Sequence, residues 1–566
     1  LRGAAYAGLQ EFDLAIESFR ESLRVDPRNA DVCNNIAVAC LNTREFDSAL
    51  EYFKQALEIN PDFAEAHNNM GVALKEVREF DLAIESCLRA LKVQPNYAEA
   101  HMNIGNALQE KGEVELALES YRQAEKLKPD YADIHSNMSL AYLACGEIGR
   151  AIESCQRALQ LNPKMSVAHF NLGNALKTQG DLESALQSYR RAIEINPDYV
   201  EAHGNLGNVF KEKGEYDAAL ESYRRVLEID ESIAEVHSNM GAVYNEKGAL
   251  EEAINSCSQA LKINDGYVEA YINLGHALGK KGEFGRAIGN YRQALKLNPS
   301  FSEAHYNLGN VLKDKGDLDE AMESYKRALS INPEYFEAHL NMGNVLKDIG
   351  SIDGAIESYA RALEINPDYV EAHTNMGAVL TQKGALDEAI ESCKKALNLN
   401  SDYADAYVNM ANAFKEKNDF DKAVVSYRRA LEVDPDYPGL GHVISALTGV
   451  QTETAPRSYV EFLFDGYATH FESSLVKNLK YEIPDALVEI MIRNHSSASF
   501  GSVMDLGCGT GLVGLSLKGR VGRLAGVDLS KVMLEQANQK AIYDDLIHAD
   551  IVEYLSEAPL GFDYFI

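Results

Sequence analysis

No run of residues in this chain approaches the ~20 consecutive apolar positions that a membrane span requires, so a helical membrane protein is excluded. There is no P-loop, no HExxH helix and no nucleophile elbow, which removes the common nucleotide-hydrolysing, zinc-protease and serine-hydrolase classes. No polybasic segment exists either. The formal net charge is −32, and residues 440–566 hold 9 Lys and Arg against 16 Asp and Glu, which leaves −25 on the preceding 439 residues. Such a surface repels phosphate backbones and argues against direct nucleic-acid contact. The eight cysteines, at Cys33, Cys40, Cys87, Cys145, Cys155, Cys257, Cys393 and Cys508, form no CxxC pair and no even spacing. A disulfide framework is therefore excluded, and the thiols read as small buried hydrophobes in a reducing cytoplasm.

What is present is a period. A turn residue recurs every 34 positions from Pro27 through Pro61, Pro95, Pro129, Pro163, Pro197, Glu231, Asp265, Pro299, Pro333 and Pro367 to Ser401 and Pro435. A period of this length without a slip predicts a solenoid of helical pairs, in which length counts repeats and not cores. Full repeats start at Ala30, Ala64, Ala98 and onward to Ala404, after one partial repeat. In the first helix of each, positions 4, 7, 8 and 11 carry the packing residues, as in His67, Met70, Gly71 and Leu74. Position 8 is Gly in nine of twelve full repeats, so neighbouring helices can approach closely there. In the second helix position 20 is always Ala, from Ala15 and Ala49 to Ala423; an aromatic or Cys follows four residues later, as in Tyr325, and a small residue such as Ala328 three after that. Small and large alternate along one face, as interlocking helices need.

This pattern resembles the tetratricopeptide repeat over residues 1–437, and implies an α-solenoid superhelix that holds a protein or extended peptide. Position 4, often Trp in that family, is here mostly His, at His67, His101, His135, His169, His203, His237, His305, His339 and His373. These stand one per repeat and never at i, i+3 or i+4, so packing is expected in preference to metal ligation. Position 6 is Asn in every full repeat: Asn35, Asn69, Asn103, Asn137, Asn171, Asn205, Asn239, Asn273, Asn307, Asn341, Asn375 and Asn409. It lies roughly 150° from the centre of the apolar stripe, so the core does not explain it. Two readings stand. The amides form a ladder along the concave face, matching the donors and acceptors of an extended polypeptide; or they hydrogen-bond only within and between repeats. A similar ladder in the repeats of O-linked N-acetylglucosamine transferases holds substrate protein.

After Pro435 the period stops. Residues 438–449 read as a capping helix and residues 450–457, with Pro456, as a linker. Residues 458–500 mix aromatics with helical spacing. They form either a helical subdomain packing on the next unit or a lid over a cofactor, and in the second case Tyr467 and Phe471 touch it.

Chemistry is sought in residues 501–566. An apolar strand ends at Asp505 and turns through Leu506, Gly507, Cys508, Gly509, Thr510 and Gly511 into a helix, where glycines let a ligand approach free N–H groups. A second strand ends at Asp528, followed by Leu529 and a helix with Met533; an acid there suits a ribose diol. A third strand ends at Asp550, before Ile551, and Phe562 to Ile566 opens a fourth. Gly509 to Gly514 also satisfies the G-x-G-x-x-G of dinucleotide binders, a weak signal alone. The combination of D-x-G-x-G-x-G with acids at the next two strand ends resembles class I S-adenosylmethionine-dependent methyltransferases. That resemblance implies an incomplete Rossmann-like α/β methyltransferase fold, with S-adenosylmethionine held by Asp505, Gly507, Cys508, Gly509, Thr510, Gly511, Asp528, Leu529, Met533, Asp550 and Ile551. In the family the acid matching Asp528 binds ribose and the one matching Asp550 the adenine amine.

The whole arrangement looks like bacterial methyltransferases with N-terminal tetratricopeptide repeats. The expected function is a cytoplasmic methyltransferase whose repeats recruit a protein partner. Rival readings are a non-catalytic scaffold with a structural methyltransferase-like unit, and a small-molecule methyltransferase whose repeats only localise it. Leu1 is not an initiator Met and falls within a repeat, and class I folds normally use seven strands. The expectation is thus of a chain cut at both ends, with little cofactor binding and no turnover.

Overall fold

A computed structural model describes residues 2–450, 457–472, 483–494, 500–557 and 561–566. Two compact bodies comprise Leu1–Pro299 and Ser300–Ile566.

The first body is entirely helical hairpins, from Arg2–Gly8 to Phe284–Leu297. The 34-residue phase is met element by element: first helices begin at Ala30, Ala64, Ala98, Ala132, Ser166, Val200, Ala234 and Val268. Each hairpin turns at a left-handed residue, usually Gly, such as Gly214 at φ 75°, with Arg44 and Arg78 taking the same conformation at φ 62° and 64°. Inside each hairpin the glycine of position 8 lies against the large residue of position 24. A Cβ on Gly105 would stand 2.5 Å from the Tyr121 ring, and one on Gly207 2.6 Å from Tyr223. Gly71 and Gly241 meet Cys87 and Cys257 in the same way. Close approach thus requires glycine, and the cysteines fill aromatic positions as buried packing groups.

The second body repeats this arrangement from Ser302–Lys315 to Phe420–Val433. Its last hairpin is covered by α1 (Leu440–Thr448), whose buried Leu440 clusters with Tyr427 and Ala430, the cap expected of a solenoid end. Further along lie α2 (Arg457–Glu472) and α3 (Ile483–Asn494). A small α/β unit follows: β1 (Phe500–Leu506), α4 (Leu512–Leu517), β2 (Val521–Asp528), α5 (Lys531–Gln539), β3 (Asp545–His548), α6 (Ile551–Glu557) and β4 (Tyr564–Phe565). All pairings are parallel in the order β3-β2-β1-β4, with Asp505 beside Gly526 and Asp528 beside His548. Met504, Ala525 and Val527 are fully buried, as strands covered on both faces require. Asp550 lies two residues past β3 and not at its end.

Among the described residues no helix is long and apolar enough to cross a membrane.

Candidate functional site

The histidine column has a structural task. His67 Nε2 lies 2.9 Å from the Pro61 carbonyl, His203 3.0 Å from Pro197 and His373 2.9 Å from Pro367, so each ring ties its helix to the turn that precedes it.

The asparagine column is mostly half-buried, and its amides bridge repeats. Asn137 donates to Asn106 Oδ1 (2.9 Å), Asn205 to Asn174 (2.9 Å) and Asn375 to Asn344 (3.0 Å). Elsewhere the same donor turns to position 5 of the preceding repeat: Asn103 to Asn68 (2.9 Å), Asn171 to Ser136, Asn273 to Ser238 and Asn409 to the Thr374 carbonyl (3.2 Å). The inter-repeat bond is therefore real, and it takes one of the two amide N–H groups at Asn137, Asn205 and Asn375. Among the described residues Oδ1 of Asn103, Asn137, Asn205 and Asn375 accepts nothing, whereas Oδ1 of Asn69, Asn239 and Asn341 takes a bond from Asn68, Lys211 and Asn344.

A second regularity went unread in the sequence. In six of the seven repeats with Tyr at position 24, its hydroxyl donates to an Asn at position 9, as from Tyr121 to Asn106 (2.8 Å), Tyr189 to Asn174 (2.7 Å), Tyr223 to Asn208 (2.7 Å), Tyr325 to Asn310 (2.8 Å), Tyr359 to Asn344 (2.7 Å) and Tyr427 to Asn412 (2.6 Å); the seventh, with Tyr291, has His276 at position 9. Where position 24 is Cys, position 9 is Val72, Leu140, Ala242 or Ala378, and position 5 becomes Asn68, Ser136, Ser238 or Thr374. The reason is satisfaction of donors: a thiol needs no buried acceptor, so the next repeat's Asn must find its acceptor elsewhere. Comparing positions 5, 9 and 24 across repeats would have revealed both classes.

In the α/β unit the carboxyl ends of β1, β2 and β3 converge. Gly507 (φ 78°), Gly509 (φ 53°) and Gly511 (φ 85°) all adopt left-handed backbone, which accounts for three alternate glycines. Asp528 is clamped by the N–H groups of Gly509 and Ser530, each 2.8 Å from one of its oxygens, and keeps further lone pairs free. Thr510 is 1 % exposed, yet its Oγ1 is buried with no hydrogen-bond partner among the described residues. Ile551 approaches Gly507, and Asp550 caps α6 through the N–H of Val552 (2.8 Å) and Glu553 (3.2 Å). Leu529 offers its carbonyl to His548 Nε2 at 2.8 Å.

Three of the expected cofactor residues lie deeper. Asp505 is 2 % exposed and takes a hydrogen bond from Tyr543 (2.6 Å). Burial pushes its carboxyl up to about 6; the Tyr543 bond opposes that shift and the charge of Asp528 adds to it. Cys508 lies under Gly526, and burial raises its thiol well above the usual range. Met533 is buried within α5. Tyr543 carries no motif, yet its ring fills the space left by Gly511, Gly514 and Gly526.

Helix α2 spans this mouth. Arg457 pairs with Glu553 (2.8 Å), Glu461 stands 3.3 Å from His548, and Asp465 accepts from Ser530 Oγ (2.5 Å) and Val532 N–H (3.3 Å). Ala468 is buried, and the Phe471 ring comes within 3.7 Å of where a Gly509 side chain would begin. These residues follow i, i+4, i+8, i+11, i+14, one helical face, so the segment lies over the glycine turn and is more than a remote subdomain. The Tyr467 side chain lies outside the described residues, as do 473–482 and 495–499.

Comparison with known proteins matches these units separately. Models described as "TPR repeat" cover residues 105–144 and, in overlapping spans, 173–418. Others described as "Tetratricopeptide repeat" cover 1–29, 30–63, 64–97, 132–165 and 404–437. The chain belongs to the tetratricopeptide repeat family. Beyond the tetratricopeptide repeats, residues 503–566 match a model described as "Methyltransferase domain". No curated protein matches the chain.

Among solved structures, the APC/C hetero-tetramer Cut9-Hcn1 is similar at 15% identity and TM-score 0.43, over 79% of this chain and 95% of that one. YrrB, titled a TPR protein with an unusual peptide-binding site, is 27% identical with TM-score 0.31, over 35% of this chain and 100% of that one. MamA is 28% identical with TM-score 0.27, over 29% and 95%.

Proposed function

We propose that this protein is an S-adenosylmethionine-dependent methyltransferase whose repeats recruit a protein or extended polypeptide partner. The observation that carries the cofactor assignment is the glycine turn after β1. Three left-handed glycines give backbone access, Thr510 offers a buried hydroxyl in want of a partner, Asp528 is fixed at the adjacent strand end, and Phe471 covers the turn. These residues fit the group: Gly507 and Gly509 leave room for the methionine moiety, Asp528 has lone pairs for a diol, and Asp550 stands two residues beyond the third strand for the adenine amine.

When bound, S-adenosylmethionine would supply an electrophilic methyl group. What the chain contributes is placement and dryness. Its clamp on Asp528 keeps the carboxylate oriented without ligand, so little ordering remains for binding to impose. Helix α2, held by Asp465 and Arg457, keeps water from the turn. Recruitment rests on the amide oxygens that the Asn column leaves open, at Asn103, Asn137, Asn205 and Asn375, which can take backbone N–H groups of an extended segment.

Isothermal titration of S-adenosylmethionine into the full-length protein, with NAD in parallel, tests the assignment. Saturable binding of S-adenosylmethionine alone is expected, weakened by about 1–3 kcal/mol in Asp528→Ala through loss of charge-assisted hydrogen bonds. Equal binding of NAD, or an unchanged affinity in the variant, removes this site from S-adenosylmethionine.

A further inference from the structure

The second body carries a row of chemistry that the proposed function leaves unused. Each first helix there is preceded by an aromatic residue, Phe301 and then Tyr, and has an acid at its second position, giving Glu303, Tyr335, Glu337, Tyr369, Glu371, Tyr403 and Asp405 in register, with Tyr437 at the same phase after them. The register is spatial as well. Burial, then Tyr306 and the carboxylates of Glu303 and Glu337, raise the Tyr335 hydroxyl above its usual range; burial, then Glu371 and Glu337, do so for Tyr369; burial, then Glu371 and Asp405, for Tyr403. Tyr437 closes the row with a 2.8 Å bond to Asp405. The Tyr369 hydroxyl likewise lies 3.4 Å from a Glu371 oxygen, so rings and carboxylates adjoin along the row.

These acids differ from a second column, at the hairpins. On the hairpin side, a recurring lysine of one repeat pairs with an acid of the repeat before: Lys383 with Asp353 (2.7 Å) and Lys417 with Asp387, and in the first body Lys111 with Asp81 (2.8 Å) and Lys213 with Glu183 (2.5 Å). Among the described residues no Lys or Arg forms a salt bridge with Glu303, Glu337, Glu371 or Asp405. The fold neutralises one acid column and leaves the other charged, at a cost in self-repulsion.

One repeat of the first body shows a cation in such a place. Lys128 bonds to Glu99 and lies 5.5 Å from the centre of the Tyr131 ring, and the charges of Asp133 and Glu99 both act on that tyrosine. Its equivalents in the second body are Asn332, Asn366 and Asn400, whose Oδ1 atoms accept turn N–H groups at 3.1, 3.3 and 2.9 Å. The walls recur there without the cation. An ammonium or guanidinium satisfies both wall types, since a carboxylate pairs with its charge and a ring face attracts it. The row adjoins the asparagine column, because Asn341 donates to Tyr306 (3.1 Å) and the Tyr306 and Tyr335 rings are 4.8 Å apart.

We propose that the tyrosine and acid row over Glu303–Tyr437 seats lysine or arginine side chains of an extended partner segment, which makes the recruited partner a basic polypeptide. This rests on the reading of the array as a docking surface.

The test is fluorescence anisotropy on the full chain with labelled peptides of alternating lysine and serine, threonine and serine, or glutamate and serine. The lysine peptide is expected to bind best, with affinity falling as salt rises. The Glu337→Gln/Glu371→Gln variant should weaken it about tenfold, from loss of two ion pairs and their cation–ring support. Glu357→Gln/Glu388→Gln, which removes the same charge from exposed second-helix acids, should stay within about twofold. Tyr369→Leu, which changes no charge, should also weaken binding. Equal losses in the two charge variants would reduce the effect to diffuse attraction and overturn the proposal. Equal binding of the threonine peptide would overturn it while leaving the docking reading intact, and no binding of any peptide would remove both.

Discussion

Asp505 shows how a residue can be legible in its motif and unreadable in its state. Its place before the glycines marks it for the cofactor site, but the chain buries it under Tyr543, a residue 38 positions away that no motif announces. The buried carboxyl titrates near 6, above its ordinary 3.8. A folded-state pKa raised above the unfolded value means that the folded form binds the proton more tightly. The stabilising contribution of this group is therefore full below pH 3.8 and is lost as pH rises through 6. Thermal unfolding of the α/β unit, followed between pH 5 and 7.5, is expected to show stability from this group falling with rising pH, and Asp505→Asn should flatten that dependence. A variant with the wild-type slope would assign the titration to another group. Tyr543→Phe removes the hydroxyl that favours the ionised form, so it should raise the Asp505 pKa further and steepen the loss.

Elements, more than residues, were what the sequence made plain. Every first helix begins where the 34-residue phase places it, since hydrophobic periodicity and the recurring turns are local signals. The first two strands of the small α/β unit were legible for the same reason, β1 running into Gly507 and β2 ending at Asp528. What escaped was pairing between elements. Asp465 and Ser530 meet across 65 positions, and only the spatial order of α2, β1, β2 and β3 explains why both are polar. Asp465→Ala should leave Ser530 Oγ without its acceptor and release one side of α2, and limited proteolysis near the helix should then quicken; an unchanged cleavage rate would mean that the contacts of Arg457, Glu461, Ala468 and Phe471 hold it without Asp465. The coupling of positions 9 and 24 is equally elemental. Asn174→Ala leaves the Tyr189 hydroxyl and the Asn205 amide short of an acceptor, and should destabilise by about 1–3 kcal/mol. Tyr189→Cys removes one of those donors and forms a cavity. In a double-mutant cycle the two should cost less together than the sum of each alone, by at least about 0.5 kcal/mol, because the pair already exists in the cysteine repeats. Strict additivity would sever the link.

At the scale of the whole molecule, the array's packing sets how far a disturbance travels. Helices of the array pack within their own hairpin or against those of adjoining repeats, so stability is a sum of repeat and nearest-neighbour terms. Gly207 offers a sharp test, because a Cβ there would stand 2.6 Å from the buried Tyr223 ring, which has no room to retreat. Gly207→Ala is expected to cost about 1–3 kcal/mol by overpacking. In a globular domain that cost would lower protection of every amide toward a common global value. Here hydrogen exchange should quicken in the repeats from Ser166 to Asp265, which touch the altered hairpin or its neighbours, and remain at the wild-type rate in Val370–Leu399 and in β1–β3. Uniform acceleration across the chain would show that the array unfolds as one cooperative block, and partner binding at one repeat could then be felt at the methyltransferase unit. Confined acceleration means that the docking row and the glycine turn act through the tether between them, by raising the local concentration of a captured segment rather than by a transmitted change of shape.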